Sequence, residues 1–383
     1  MPSRMWRSRA AAIVVALACG LACMSCLYSR IMYFGEPSLS APTYFDSREV
    51  RATSPAPLLT SATEARIGIT RSRHRTYASF EELLAQNHTG AFLVVKDDAI
   101  VYERYFGRVT RTTQLPSFSM SKTFAAVLVG CAVRDGVLRS IDDRIVSYVP
   151  ELASKKGYGD ITLEQLLRMT AGIDFNEDSY AGGALYYTTD LRSRMYSYDV
   201  KWPAGTHYLY GSVSMELIWD AMNRRLGGKT VAQYFEERVW GPLGAEYPAA
   251  WSLDSASSGI EKLFGGFSAT TRDHARMGLL FLHEGVMNGH AVVPAEWIRE
   301  SLVVDPIAGV VQTTDGNVKR GKYQWFWSPD ERSHYFAKGY RGQYVFVIPD
   351  KHMVFVRFGD DYGDVDWRSL FTQIADELAT PQP

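Results

Sequence analysis

The sequence predicts a mixed α/β (α+β) fold in which one antiparallel sheet, flanked by helices, is built from both ends of the chain. Two adjacent strand patterns early in the chain and several strand patterns near its end predict this sheet. Helical patterns dominate the middle of the chain and predict a mostly helical insertion at 141–261. A basic N-terminus followed by an apolar stretch predicts an additional signal or anchor helix.

Residues 1–29 predict an export signal or a membrane anchor. Three arginines precede an almost wholly apolar or small stretch at 10–28, which is about as long as a membrane-spanning helix requires. The positive-inside rule then places the rest of the chain in the cell envelope or periplasm, either membrane-anchored or secreted. Lipidation at Cys23 or Cys26 and a buried core helix remain open as alternatives.

Residues 30–76 predict a linker, because four prolines interrupt any long helix and no apolar period is sustained. The folded domain is predicted over 77–383. Its predicted strands are 91–96, 100–105, 323–327, 335–338, 343–348 and 353–358. Its clearest predicted helices are 119–136, 161–169, 215–226 and 367–378.

The composition argues against several classes of function. The formal net charge is −1, and no basic stripe with interleaved aromatic residues suggests a nucleic-acid partner. The eight histidines are scattered without paired ligand spacing, so neither a metal nor another cofactor is expected. Only Cys131 lies outside the apolar N-terminal stretch, so the folded domain has no internal disulfide. The oligomeric state remains open.

Ser119 and Lys122 form the strongest chemical signal in the chain. They are three residues apart at the start of an apolar helix, and this spacing places both on one helix face. Backbone N–H groups at a helix start favour the negative charge that develops on a carbonyl under attack. A partly desolvated lysine is able to lose its proton and activate the serine. A pair of surface residues is the alternative.

The surrounding segments resemble the serine β-lactamase and penicillin-binding-protein superfamily, in which this serine–lysine motif carries the nucleophile. The resemblance extends from about Phe80 to the C-terminus and is closest to the class C β-lactamase and esterase branch, especially the 6-aminohexanoate-dimer hydrolases. The five ordered segments that carry it are 118–124 (FSMSKTF), 161–172 (ITLEQLLRMTAG), 203–212 (PAGTHYLYGS), 265–273 (GGFSATTRD) and 337–349 (AKGYRGQYVFVIP).

The resemblance implies further site residues in the second motif. Tyr210 is the implied proton-handling tyrosine, with Tyr208 as the rival assignment. Ser212 stands where the family usually has asparagine, and it is expected to contact Lys122 or the substrate. Ser119, Lys122 and Tyr210 are therefore the predicted catalytic residues.

The third motif departs from the family pattern. Ala337 stands where β-lactamases and penicillin-binding proteins carry a lysine, and strand alternation turns Lys338 to the opposite face. Gly339 allows close approach of the substrate, and the N–H of Tyr340 is the implied second oxyanion donor beside that of Ser119. The missing cation favours a small-molecule amide or ester over a β-lactam.

These observations predict a serine hydrolase that cleaves an amide or ester through an acyl-enzyme intermediate. The sequence leaves two alternatives open. One is a D-amino-acid peptidase or weak β-lactamase, and the other is a non-catalytic envelope binding protein with the same fold.

Overall fold

Strands from both ends of the chain meet in a central sheet. The computed structural model describes residues 27–303 and 333–379. Its strands in chain order are β1 (Ser47–Val50), β2 (Leu59–Thr60), β3 (Thr89–Lys96), β4 (Ala99–Tyr105), β5 (Leu115–Pro116), β6 (Ala249–Ser252), β7 (Phe267–Ala269), β8 (Val286–Met287), β9 (His290–Ala291), β10 (Tyr335–Gly339), β11 (Gln343–Ile348) and β12 (Met353–Gly359). The central sheet has the order β10-β11-β12-β3-β4-β2, which confirms the predicted sheet.

The helices in chain order are α1 (Leu27–Phe34), α2 (Phe80–Gln86), α3 (Ser121–Arg134), α4 (Leu163–Leu167), α5 (Tyr180–Tyr187), α6 (Leu191–Tyr196), α7 (Val213–Asn223), α8 (Val231–Phe235), α9 (Thr271–Leu282), α10 (Ala295–Leu302) and α11 (Trp367–Ala379). A single π-helical turn, Glu236–Trp240, follows α8. The predicted helices at 119–136, 161–169, 215–226 and 367–378 are all present in this set, each within a few residues of its predicted bounds.

Helices cover both faces of the central sheet. Helices α3 and α9 share one buried cluster with one face of the sheet, and α2 and α11 share a second cluster with the other face. Every residue of β11 and β12 is buried, as expected for strands enclosed between two layers. All strand pairs in this sheet are antiparallel except the short edge pair of β2 with β4.

A second sheet of four short strands, in the order β1-β6-β7-β5, differs from the prediction. Strand β6 lies inside the region predicted as a mostly helical insertion, and β1 lies inside the predicted linker 30–76. Val50 of β1 is fully buried and pairs with Ala249 of β6. Strands of two to four residues are too short to display an alternating pattern, and their pairing joins distant parts of the chain.

The predicted signal or anchor helix lies largely outside the described residues, which begin at Leu27. No helix within 27–303 and 333–379 combines the length and the apolar character needed to cross a membrane. The predicted strand at 323–327 also lies outside the described residues.

Candidate active site

Ser119 lies in a single 3-10 turn that leads directly into α3. Phe118, immediately before it, has a φ of 46°, a left-handed conformation that is unusual for a non-glycine residue and is typical of functional turns. Two buried serines tie this turn to β7. Ser117 donates to the Phe267 carbonyl at 2.7 Å, and the N–H of Phe267 donates to the Ser121 hydroxyl at 3.0 Å. The half-buried Ser119 is therefore held on a rigid support.

The three predicted catalytic side chains meet at the Ser119 hydroxyl. Lys122 Nζ donates to Ser119 Oγ at 3.1 Å, and the Tyr210 hydroxyl donates to the same oxygen at 2.9 Å. The lysine comes from the next turn of the chain, whereas the tyrosine is 91 residues away in sequence. Both contacts are within the range required for proton transfer.

Lys122 is completely buried, and its surroundings favour a neutral amine. Its Nζ donates to the Phe264 carbonyl at 2.8 Å and lies 5.0 Å from the centre of the Tyr210 ring. Burial lowers the pKa of Lys122 to about 8, although the Glu177 carboxylate opposes the shift. An amine with this pKa is partly unprotonated near neutral pH and is able to accept the Ser119 proton.

The structure distinguishes the two tyrosines of the second motif. The N–H of Leu209, the residue between the two tyrosines, donates to the Met169 carbonyl at 2.9 Å and anchors the segment there. The tyrosines on either side of Leu209 have different surroundings. Tyr208 is buried in the main core, whereas Tyr210 is half-buried and contacts Ser119. Tyr210 is therefore the tyrosine of this site.

Ser212 contacts Glu177. Its hydroxyl donates to one carboxylate oxygen at 2.6 Å, and its backbone N–H donates to the other at 2.8 Å. The sequence analysis predicted a contact of Ser212 with Lys122 or the substrate, and the structure places its hydroxyl on Glu177 instead. Charge-assisted hydrogen bonds of this kind fix the loop that carries Tyr210 and keep a negative charge close to Lys122.

The third-motif strand, β10, presents its small residue on the site's side of the sheet. Ala337 pairs with Val345, and both belong to the buried cluster that includes α3. Lys338 is exposed on the opposite face, where its Nζ lies 4.9 Å from the centre of the Tyr362 ring. The predicted alternation of Ala337 and Lys338 is confirmed.

The end of β10 lies beside the turn that carries Ser119. A Cβ atom on Gly339 would lie 2.3 Å from the Ser117 carbonyl oxygen, so only glycine permits this approach. The rings of Tyr340 and Phe118 meet edge to face with centres 6.0 Å apart. This packing brings the backbone of Gly339 and Tyr340, two of the three predicted substrate-binding residues, close to the turn that carries Ser119.

Other reactive groups have different surroundings. The buried Cys131 thiol contacts the Val292 carbonyl oxygen at 3.2 Å, and burial raises its pKa to about 12, so it is a poor nucleophile. Among residues 27–303 and 333–379, no group of three or more His, Cys, Asp or Glu side chains is arranged to hold a metal ion.

A family model described as Beta-lactamase matches residues 78–379. The chain belongs to the beta-lactamase family. A 6-aminohexanoate-dimer hydrolase of Paenarthrobacter ureafaciens is 26% identical over 308 residues, which cover 75% of this chain and 76% of that protein. A beta-lactamase of Escherichia coli K12 is 32% identical over 135 residues, which cover 35% of this chain and 34% of that protein.

Two solved structures share the fold of this chain. A structure from Bacillus anthracis, provisionally named a 6-aminohexanoate-dimer hydrolase, has a TM-score of 0.78 and 22% identity, and the match covers 90% of this chain and 94% of that one. A family VIII carboxylesterase has a TM-score of 0.59 and 18% identity, and the match covers 76% of this chain and 93% of that one. The resemblance to the beta-lactamase family predicted from the five sequence segments is confirmed.

Proposed function

We propose that this beta-lactamase family member is a serine hydrolase that cleaves an amide or ester of a small molecule through an acyl-enzyme intermediate on Ser119. The observation that carries the proposal is the contact of Ser119 Oγ with both Lys122 Nζ and the Tyr210 hydroxyl. The names of two relatives, a 6-aminohexanoate-dimer hydrolase and a family VIII carboxylesterase, support amide and ester bonds as the substrate class.

The proposed acylation step uses the contact between Lys122 and Ser119 with its direction reversed, because the neutral amine accepts the hydroxyl proton. Neutral Lys122 accepts the Ser119 proton as Oγ attacks the substrate carbonyl carbon, and the backbone N–H groups of Ser119 and Tyr340 stabilise the oxyanion. Tyr210 then delivers a proton to the leaving amine or alcohol as the bond to carbon breaks. In deacylation, water attacks the acyl carbon and gives a proton to the Tyr210 phenolate, while the Lys122 ammonium returns its proton to Ser119 Oγ as the bond to the acyl group breaks and the acid is released.

The rate is expected to rise with pH up to about 8, because the pKa of Lys122 is about 8 and only the neutral amine accepts the serine proton. Below that pH, kcat/KM for an ester should fall by about tenfold per pH unit as Lys122 becomes an ammonium ion. The measurement is kcat/KM for p-nitrophenyl acetate between about pH 6 and about pH 9, with Ser119→Ala as the background. A rate that rises as the pH falls through this range would contradict the role of Lys122.

The protein should hydrolyse short-chain esters or small amides much faster than the β-lactam nitrocefin. A β-lactam presents a carboxylate, and the third-motif position that usually meets it with a cation is Ala337. A charge-assisted contact contributes about 1.5–3 kcal/mol, equivalent to about ten- to a hundredfold in rate. The measurement is kcat/KM for p-nitrophenyl esters, 6-aminohexanoate dimer and nitrocefin side by side.

Two substitutions on β10 sharpen this comparison. Ala337→Lys should raise nitrocefin turnover, whereas Lys338→Ala, which removes an exposed cation from the opposite face, should leave every rate within about twofold. A wild-type kcat/KM for nitrocefin equal to or above that for every ester and amide would instead favour the weak β-lactamase or D-amino-acid peptidase alternative.

A further inference from the structure

A buried carboxyl group is hydrogen-bonded to Phe264, the residue whose carbonyl oxygen binds Lys122. Glu216, in the first turn of α7, is fully buried. One of its oxygens, Oε1, accepts the backbone N–H of Phe264 at 3.2 Å. The carbonyl oxygen of the same Phe264 accepts Lys122 Nζ at 2.8 Å. Glu216, the Phe264 backbone and Lys122 therefore form one connected chain that ends at the Ser119 hydroxyl.

The surroundings of Glu216 favour an uncharged carboxylic acid. Its second oxygen, Oε2, has no hydrogen-bond partner among the described residues. Burying a negatively charged oxygen without a hydrogen bond has a high free-energy cost, so the ionised carboxylate is disfavoured. Burial raises the pKa of Glu216 well above its ordinary value, and this effect outweighs the backbone hydrogen bonds of Phe264 and Leu263, which lower the pKa. The acidic groups of Asp254 and Glu261 raise the pKa further. The two nearby lysines, Lys122 and Lys262, are themselves buried, and burial lowers the pKa of each.

We propose that Glu216 is a positioning residue for Lys122: as a neutral acid it anchors the Phe264 backbone, so that the Phe264 carbonyl holds the lysine amine against Ser119. This inference rests on the proposed function, because it assigns Glu216 a role in the reactivity of Ser119. The neutral state matters, since a carboxylate at this position would favour the ammonium form of Lys122 and slow proton acceptance.

Two substitutions of Glu216 separate anchoring from charge. Glu216→Gln retains a carbonyl oxygen for the Phe264 N–H and carries no charge, so it should keep the wild-type rate within about threefold and the wild-type pH profile. Glu216→Leu fills the space without an acceptor and should lower the rate by about ten- to a hundredfold, the cost of misplacing a catalytic group by about 1 Å.

The readouts are kcat/KM for p-nitrophenyl acetate and the second-order rate constant for labelling by a fluorophosphonate probe, both as functions of pH. The matched control is Asp220→Asn. Asp220 is a buried acid on the same helix, but its ion pairs are with Arg192 and Arg224. Asp220→Asn should lower the melting temperature while leaving the pH profile and labelling rate close to wild type.

Three results would overturn the inference. A Glu216→Gln profile whose acidic limb moves to lower pH would mean that Glu216 is an ionised counter-charge for Lys122. A folded Glu216→Leu variant with the wild-type labelling rate would remove the anchoring role. Wild-type protein that resists the probe at every pH would overturn the proposed function itself, and this inference with it. If wild type is labelled normally, the results for the Glu216 variants test the role of Glu216 alone.

Discussion

Ser119→Ala is expected to lower kcat/KM for esters and amides by about 10⁴ to 10⁶ while the protein stays folded. The hydroxyl is the group that both Lys122 and Tyr210 contact, so its removal leaves neither a nucleophile nor a partner for their protons. Residual rates should come only from the oxyanion donors and substrate binding. The measurement is steady-state hydrolysis of p-nitrophenyl esters, with circular dichroism and thermal unfolding to establish folding.

Ser121→Ala is the matched control for this substitution. Ser121 is two residues away and fully buried, but its hydroxyl contacts Ser117 and the N–H of Phe267. Losing that hydroxyl leaves a buried donor without its partner and should cost about 1–3 kcal/mol of stability. Catalysis should survive in the folded fraction. Wild-type esterase activity in Ser119→Ala would show that the nucleophile is elsewhere.

Lys122→Met should be nearly as damaging, with a loss of about 10⁴ in kcat/KM. Methionine has a similar length and fits a buried position, but it has no nitrogen to accept the Ser119 proton. Because burying an amine is unfavourable, the substitution should leave the melting temperature unchanged or raise it.

The same variant separates chemistry from folding through its pH dependence. The rise in rate toward about pH 8 should disappear in Lys122→Met, since the group whose pKa is about 8 is absent. Tyr210→Phe should give a smaller but clear loss with that rise retained. A Lys122→Met variant with wild-type kcat/KM would exclude the lysine as the base.

The serine–lysine pair was predictable because its geometry is local. Ser119 and Lys122 belong to adjacent turns, so their spacing in sequence already places them on one face. The central strands were predictable for a related reason: β3, β11 and β12 are buried between two helical layers and therefore read as continuous apolar runs. Tyr210 depended on the family resemblance, since Tyr208 is equally plausible from the residues alone.

The rest of the site depends on contacts between distant segments. The bond between Glu177 and Ser212 joins residues 35 apart, and the bond between Glu216 and Phe264 joins residues 48 apart. The helical and strand periodicities of a sequence do not indicate contacts between residues so far apart. The same holds for the second sheet, where β1 pairs with β6 across about half of the chain. Glu177 is followed by Asp178, and acidic residues are also common at helix caps, so the sequence alone could not identify Glu177 as a site residue.

Trapping the acyl-enzyme is the most direct test of the central proposal. The protein is mixed with p-nitrophenyl acetate, quenched in acid during turnover, digested and analysed by peptide mass spectrometry. We expect an acetyl group on Ser119 in wild type, none in Ser119→Ala, and more rapid loss of the label in wild type as the pH is raised toward about 8. An acetyl group on another side chain that turns over at the rate of hydrolysis, or hydrolysis that persists in Ser119→Ala without any adduct, would contradict the account.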